Sequence, residues 1–158
     1  MRLGRSRELT GNEIDHALHE QLYGHLGCTL SDGRTYVVPI TFAYADGAIY
    51  SFSYPGQKID AMTQNPSVCF QTEQCVHEGV WKSVIVWGTF EHLSHRQQLG
   101  AMKAIFDRLE REGGRAMSPL YQPPPSILDA SMPQSLENQA IFYRIRLTEK
   151  TGRQVQQS

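Results

Sequence analysis

Residues 50–58 read Tyr50-Ser51-Phe52-Ser53-Tyr54-Pro55-Gly56-Gln57-Lys58, a strand-like run with two hydroxyls that passes through Pro-Gly into a helix-forming segment. The first N–H groups of a helix have no intrahelical partner and sit at the positive end of its dipole, so such a turn suits an anion. Lys58 falls in the first helical turn, where a cation opposes the dipole unless an anion lies between them. Ser51 or Ser53 would donate further hydrogen bonds to phosphate oxygens, and Gly56 would let the backbone approach closely. An ordinary strand-to-helix turn carrying a solvated lysine fits the same nine residues.

Two further segments could meet a flat ring. In Tyr36-Val37-Val38-Pro39-Ile40-Thr41-Phe42-Ala43-Tyr44 the period of two puts Tyr36, Val38, Ile40, Phe42 and Tyr44 on one face, suited to a barrel interior. The opposite face carries the small residues Val37, Pro39, Thr41 and Ala43, and Pro39, which lacks an N–H, implies an edge or a bulge. In Trp81-Lys82-Ser83-Val84-Ile85-Val86-Trp87-Gly88 the stretch 84–87 is apolar at every position, so both of its faces should be covered. A second subunit is the economical cover for the outer one. Trp81 and Ser83 point the same way and could meet a ring and its polar edge, whereas Trp87 reads as interface or core.

The elements that must position these segments follow from the pattern. Thr10 with Glu13 has the form of a capping box ahead of Ile14, Leu18 and Leu22, which predicts a helix over about 11–23. Residues 24–30, a turn at 31–34 and residues 35–44 read as a hairpin, and a turn at 45–47 leads into a strand at 48–53. A short helix over 57–64 ends at Asn65-Pro66, and strands resume at 67–73 and 80–93. Ser94 with Gln97 forms a second capping box, opening a helix with the stripe Leu99, Met102, Ile105, Phe106 and Leu109, which Gly113-Gly114 stops. Residues 115–139 hold five prolines and no period, a long loop, before a closing strand at 140–148. The expected fold is mainly β (α+β): one domain over 1–158, a six-stranded antiparallel barrel with flanking helices. Residues 1–9, with Arg2, Arg5 and Arg7, are expected to be a mobile arm.

Composition narrows the partners. Fifteen Lys+Arg against 16 Asp+Glu give a formal net charge of -1, with no basic stripe for a nucleic acid. No apolar run approaches a membrane span and no signal-peptide pattern opens the chain, so a cytoplasmic protein is expected. Cys28, Cys69 and Cys75 are odd in number and lack CxxC spacing, which reads as three reduced, mostly buried thiols. His16 and His19 complete no metal-site pattern, and neither do Cys69, Cys75 and His77; GxSxG, HExxH and Walker motifs are missing from the chain.

Taken in order, the three segments, with Gly24-His25-Leu26-Gly27, Asn65-Pro66-Ser67-Val68-Cys69-Phe70, Tyr143-Arg144-Ile145 and Thr151-Gly152-Arg153, resemble the pyridoxamine 5′-phosphate oxidase-like flavin-binding split barrels, and most closely the nitroimidazole-resistance subgroup. The resemblance covers about residues 7–153. It implies a Greek-key type split barrel and a homodimer with two FMN molecules in clefts between subunits. Lys58 would bind the phosphate with Ser51 or Ser53, and Phe52 and Gln57 lie in the same turn. The backbone of Pro39, Ile40, Thr41 and Phe42 would line the flavin ring, and Trp81, Ser83 and Val84 would close its other side. Many relatives carry a histidine in the strand before the GxK turn, where this chain has Phe52, so a histidine-dependent role there does not transfer. The pyridoxal-phosphate residues of the true oxidases are not evident. The implied activity is reduction of a small molecule by a nicotinamide donor through FMN. The alternative is a flavin- or haem-binding dimer without turnover, with His25 or His92 as an axial haem ligand.

Overall fold

A computed structural model describes residues 5–77, 79–111 and 140–156. Among them the chain forms β1 (Arg5–Glu8), α1 (Gly11–Glu20), β2 (Tyr23–Thr29), β3 (Thr35–Thr41), β4 (Ala43–Ala45) and β5 (Ala48–Ser53). It continues through α2 (Gln57–Gln64), β6 (Ser67–His77), β7 (Val80–His92), α3 (His95–Arg111) and β8 (Ile141–Gln156). Every strand pairing is antiparallel, in the order β3-β2-β6-β7-β8-β5-β4, with β1 added to β8. β3 and β4 stand at opposite ends of that order, yet Phe42 alone separates them in sequence. The sheet therefore has to curl until its ends meet, which gives the expected split barrel.

The barrel holds eight strands among the described residues where six are expected. Residues 35–44 do not run as one strand: the pairing with β2 ends at Phe42, whose N–H donates in register to the Leu22 carbonyl at 3.0 Å, and from Ala43 the chain pairs with β5 as β4. Residues 5–8 are no mobile arm. They pair with residues 153–156 of β8, which runs past residue 148, and Arg7 clamps the junction through a two-pronged ion pair with Glu13 at 2.7 and 2.9 Å.

α1 starts on the expected capping box: Thr10 Oγ1 accepts from the Glu13 N–H, and Glu13 Oε2 accepts from the Thr10 N–H at 2.8 Å. It ends at Glu20, three residues early. Arg7 and the capping hydrogen bonds pull the Glu13 carboxyl down to about 2 from an ordinary 4.5. A carboxylate whose folded pKa is depressed adds stability that is present above 4.5 and fades as pH falls towards 2. Glu13→Gln is thus expected to be less stable than the parent at neutral pH, with the difference closing between those two values in acid-titration melts. Thr10→Ala should cost about 1 kcal/mol in denaturant melts at neutral pH.

The main core fills the barrel with Leu26, Phe42, Ile49, Met62, Phe70, Val84, Val86 and Ile145, closed by Ile14 and Leu18 of α1. A second, smaller core of Ala43, Leu93, Ala101, Ile105 and Phe142 seats α3 on β4 and β5. Leu99, expected in the buried stripe of α3, is exposed; Ala101, Ile105 and Arg108 form the buried line instead. The thiols also divide: Cys28 is buried and Cys69 half-buried, but Cys75 is exposed at the end of β6, where pairing slips near the β6–β7 turn. Gly113, Gly114 and the loop expected over 115–139 lie outside the described residues. No helix among the described residues is long and apolar enough to cross a membrane.

Candidate functional site

β5 ends in Ser51-Phe52-Ser53, and alternation sends its side chains to two places. Ser51 faces inward, and its hydroxyl donates to the Thr41 carbonyl at 2.8 Å, tying β5 to the end of β3. That bond takes the single O–H of Ser51 inside the barrel. The Ser53 hydroxyl sits higher, half-buried, and donates locally to the Tyr54 carbonyl at 3.0 Å. Phe52 points the other way, into the smaller core, with its ring 5.5 Å from that of Phe142. The phenylalanine that stands where many relatives have histidine thus faces the bed of α3, away from Ser51 and Ser53.

α2 begins as expected at Gln57. Its N-cap, Gly56, has an extended backbone and supplies no side-chain acceptor, so the opening N–H groups of α2 have no side-chain cap. A Cβ at Gly56 would come no nearer than 4.0 Å to another group, the Tyr54 carbonyl oxygen, so packing within this copy does not demand glycine there. Lys58 is half-buried, and among the described residues it makes no ion pair or hydrogen bond. Burial pushes its ammonium below the ordinary 10.5, opposed only by the nearby Cys28 thiol. Gln57 turns away onto the β2–β3 hairpin, lining an open depression of about 390 Å³ with Asp32 and Arg34.

β3 presents two surfaces, as expected. Ile40 and Phe42 enter the core, while Val37 and Pro39 are exposed. Thr41 and Ala43 were expected beside Pro39 on the open face; both are buried, because the break at Phe42 redirects the chain. In β7 the alternation is clear: Val84 and Val86 are buried in the barrel, and Trp81, Ser83, Ile85 and Trp87 face out. Val84 therefore offers the open face only its backbone. Trp81, Ser83 and Ile85 line a cleft of about 510 Å³ with Thr151, Arg153 and Val155, within the range of small-molecule sites. Val37, Trp81, Trp87 and Val155 are exposed large apolar residues of this one sheet surface.

The register shows which parts one copy can bring together. On β2, the strand against which α2 packs, Gly27 lies opposite Cys69, and Cys69 opposite Trp87. Trp81 is six residues further along β7, about 20 Å away at the strand rise. One copy therefore does not place Lys58 and Trp81 around a single small ligand. Pro39 and Ile85, by contrast, fall in one row, through His25 and Gln71. His25 enters the sequence reading only as an alternative haem ligand and Gln71 not at all, because a strand-surface histidine and glutamine carry no local signal for a flavin site. His92, the other histidine considered as a haem ligand, has its Nε2 3.0 Å from Thr63 Oγ1.

The comparisons agree with this architecture. A family model described as pyridoxamine 5′-phosphate oxidase matches residues 10–154. An uncharacterized protein of Rhizobium meliloti (strain 1021) is 32% identical over 127 residues, covering 77% of this chain and 78% of its own. Among solved structures, an FAD-binding protein of Mesorhizobium loti is 30% identical, with a TM-score of 0.74 over 94% of this chain and 97% of that one. A putative 5-nitroimidazole antibiotic resistance protein of Bacteroides thetaiotaomicron shares the fold at 16% identity, with a TM-score of 0.71 over 98% of this chain and 90% of that one. With the family model covering nearly the whole split barrel, the chain belongs to the pyridoxamine 5′-phosphate oxidase-like family.

Proposed function

We propose that this protein binds FMN, with the phosphate at the start of α2 and the ring against the open face of β3, and that two copies enclose it. The observation that carries the reading is Lys58: a half-buried ammonium with no partner among the described residues, beside the uncapped N-terminus of a helix. A buried cation is costly without a counter-charge, and a helix start opposes it, so a bound dianion relieves both. The Ser53 hydroxyl, at the lip of the same turn, is the available side-chain donor once it leaves the Tyr54 carbonyl. Ser51 supports the site from below by fixing the end of β3.

A second copy supplies what one copy lacks. The exposed Val37, Trp81, Trp87 and Val155 gain a cover, and the partner copy can bring Trp81 and Ser83 to a ring held near Pro39. When bound, FMN supplies hydride chemistry for reducing a small molecule at the expense of a nicotinamide donor, and the chain supplies position and a dry, charged cradle. The Mesorhizobium loti relative named FAD-binding is consistent with a riboflavin phosphate in this cradle, since FAD contains the same unit.

The test is the mass of the ligand released when freshly purified protein is denatured, followed by reconstitution and assay with NADH and NADPH. FMN at up to one molecule per chain, a dimer by sedimentation, and nicotinamide oxidation with an added acceptor are expected. FMN without turnover would support the binding-only reading. Release of FAD would move the cofactor to the dinucleotide, and no flavin on release or reconstitution would overturn the proposal.

A further inference from the structure

One row of residues crosses the open face of the sheet: Pro39 of β3 lies opposite His25 of β2, His25 opposite Gln71 of β6, and Gln71 opposite Ile85 of β7. It joins the two strand segments that the flavin reading uses. Within it, Gln71 is held on both sides. Its Nε2 donates to Glu73 Oε2 at 3.1 Å and reaches Ser83 Oγ at 3.4 Å. A carboxylate offers only acceptors, so the amide nitrogen of Gln71 must face Glu73 and its oxygen must face His25. That oxygen lies 3.1 Å from His25 Nδ1. It accepts only, so in the neutral imidazole the proton is on Nδ1 and the lone pair is on Nε2. His25 is exposed, so this acceptor opens onto the face where the ring would lie.

The oxidised flavin ring carries one N–H, at N3, between two carbonyls. We propose that His25 Nε2 accepts a hydrogen bond from the flavin N3–H, and that Gln71 is the positioning residue that fixes the tautomer. The placement agrees: α2, whose first turn carries Lys58, packs against β2, the strand that carries His25. This inference rests on the flavin reading above, and it adds a residue that tells the flavin ring from flat molecules lacking an imide N–H.

The test compares FMN with 3-methyl-FMN, which has lost the N3 proton, on the full chain by quenching of flavin fluorescence. The parent should bind 3-methyl-FMN about tenfold more weakly, as expected for one hydrogen bond and the group left unpaired. His25→Ala should bind both flavins alike and more weakly than the parent binds FMN. Gln71→Leu should shrink the methyl penalty and shift the near-ultraviolet flavin band in the same direction as His25→Ala. A parent that prefers FMN to riboflavin but binds 3-methyl-FMN equally well would overturn the role of His25 and leave the phosphate site standing. A full methyl penalty in His25→Ala would do the same. A parent that binds neither flavin would overturn both.

Discussion

Lys58→Ala is expected to weaken FMN binding by about 10- to 100-fold while leaving riboflavin, which lacks the phosphate, bound as before. The range is that of one hydrogen bond to a charged group, about 1.5–3 kcal/mol, at 1.4 kcal/mol per tenfold. The pH dependence has a definite sign. Burial holds the Lys58 ammonium below 10.5, so FMN affinity should fall in alkali earlier than a solvated lysine would allow. Lys58→Arg, charged throughout, should flatten that fall. Without ligand the linkage runs the other way. With the folded pKa below the unfolded 10.5, the unfolded chain binds more protons in that window, and stability rises with pH across it. Lys58→Met should remove this slope and fold at least as well. A lysine at an ordinary solvated turn predicts none of these effects.

Phe70→Ala is expected to cost about 3–5 kcal/mol, a large share of the 5–15 kcal/mol typical of a whole domain. Phe70 is fully buried at the centre of the barrel and meets Phe42 edge-on, with ring centroids 4.7 Å apart. It also explains Gly24. A Cβ there would fall 2.2 Å from Phe70 Cζ and 2.7 Å from the Gln71 carbonyl oxygen. Gly24→Ala should therefore cost about 1–3 kcal/mol by overpacking. The two changes share one space, so the double variant should lose less than the sum of the singles. Strict additivity in denaturant melts would contradict this packing.

Much of this arrangement is legible in the residues because local chemistry carries it. The Thr10–Glu13 box sets the start of α1, Asn65-Pro66 ends α2, and the alternation in β7 separates Val84 and Val86 from Trp81 and Ser83. What escapes is set by contacts distant in sequence. The change of partner after Phe42, from β2 to β5, depends on how the whole sheet curls, and with it go the burial of Thr41 and Ala43. β1 exists because the far half of β8 offers a free edge, which no pattern in residues 5–8 announces. At the site, Lys58 is recoverable from its awkward place in the first helical turn. The commitment of Ser51 to the Thr41 carbonyl and the turn of Phe52 towards Phe142 and α3 need the register of β5. His25 and Gln71 acquire meaning only when four strands lie side by side.

The most direct test of the central claim is a pair of titrations of the ligand-free parent, one with FMN and one with riboflavin, followed by flavin fluorescence. The two differ only in the phosphate that Lys58 and the start of α2 are proposed to hold. Quenching by saturable binding is expected, with FMN at least about tenfold tighter than riboflavin. Equal affinity for the two, or no binding of either, would contradict it.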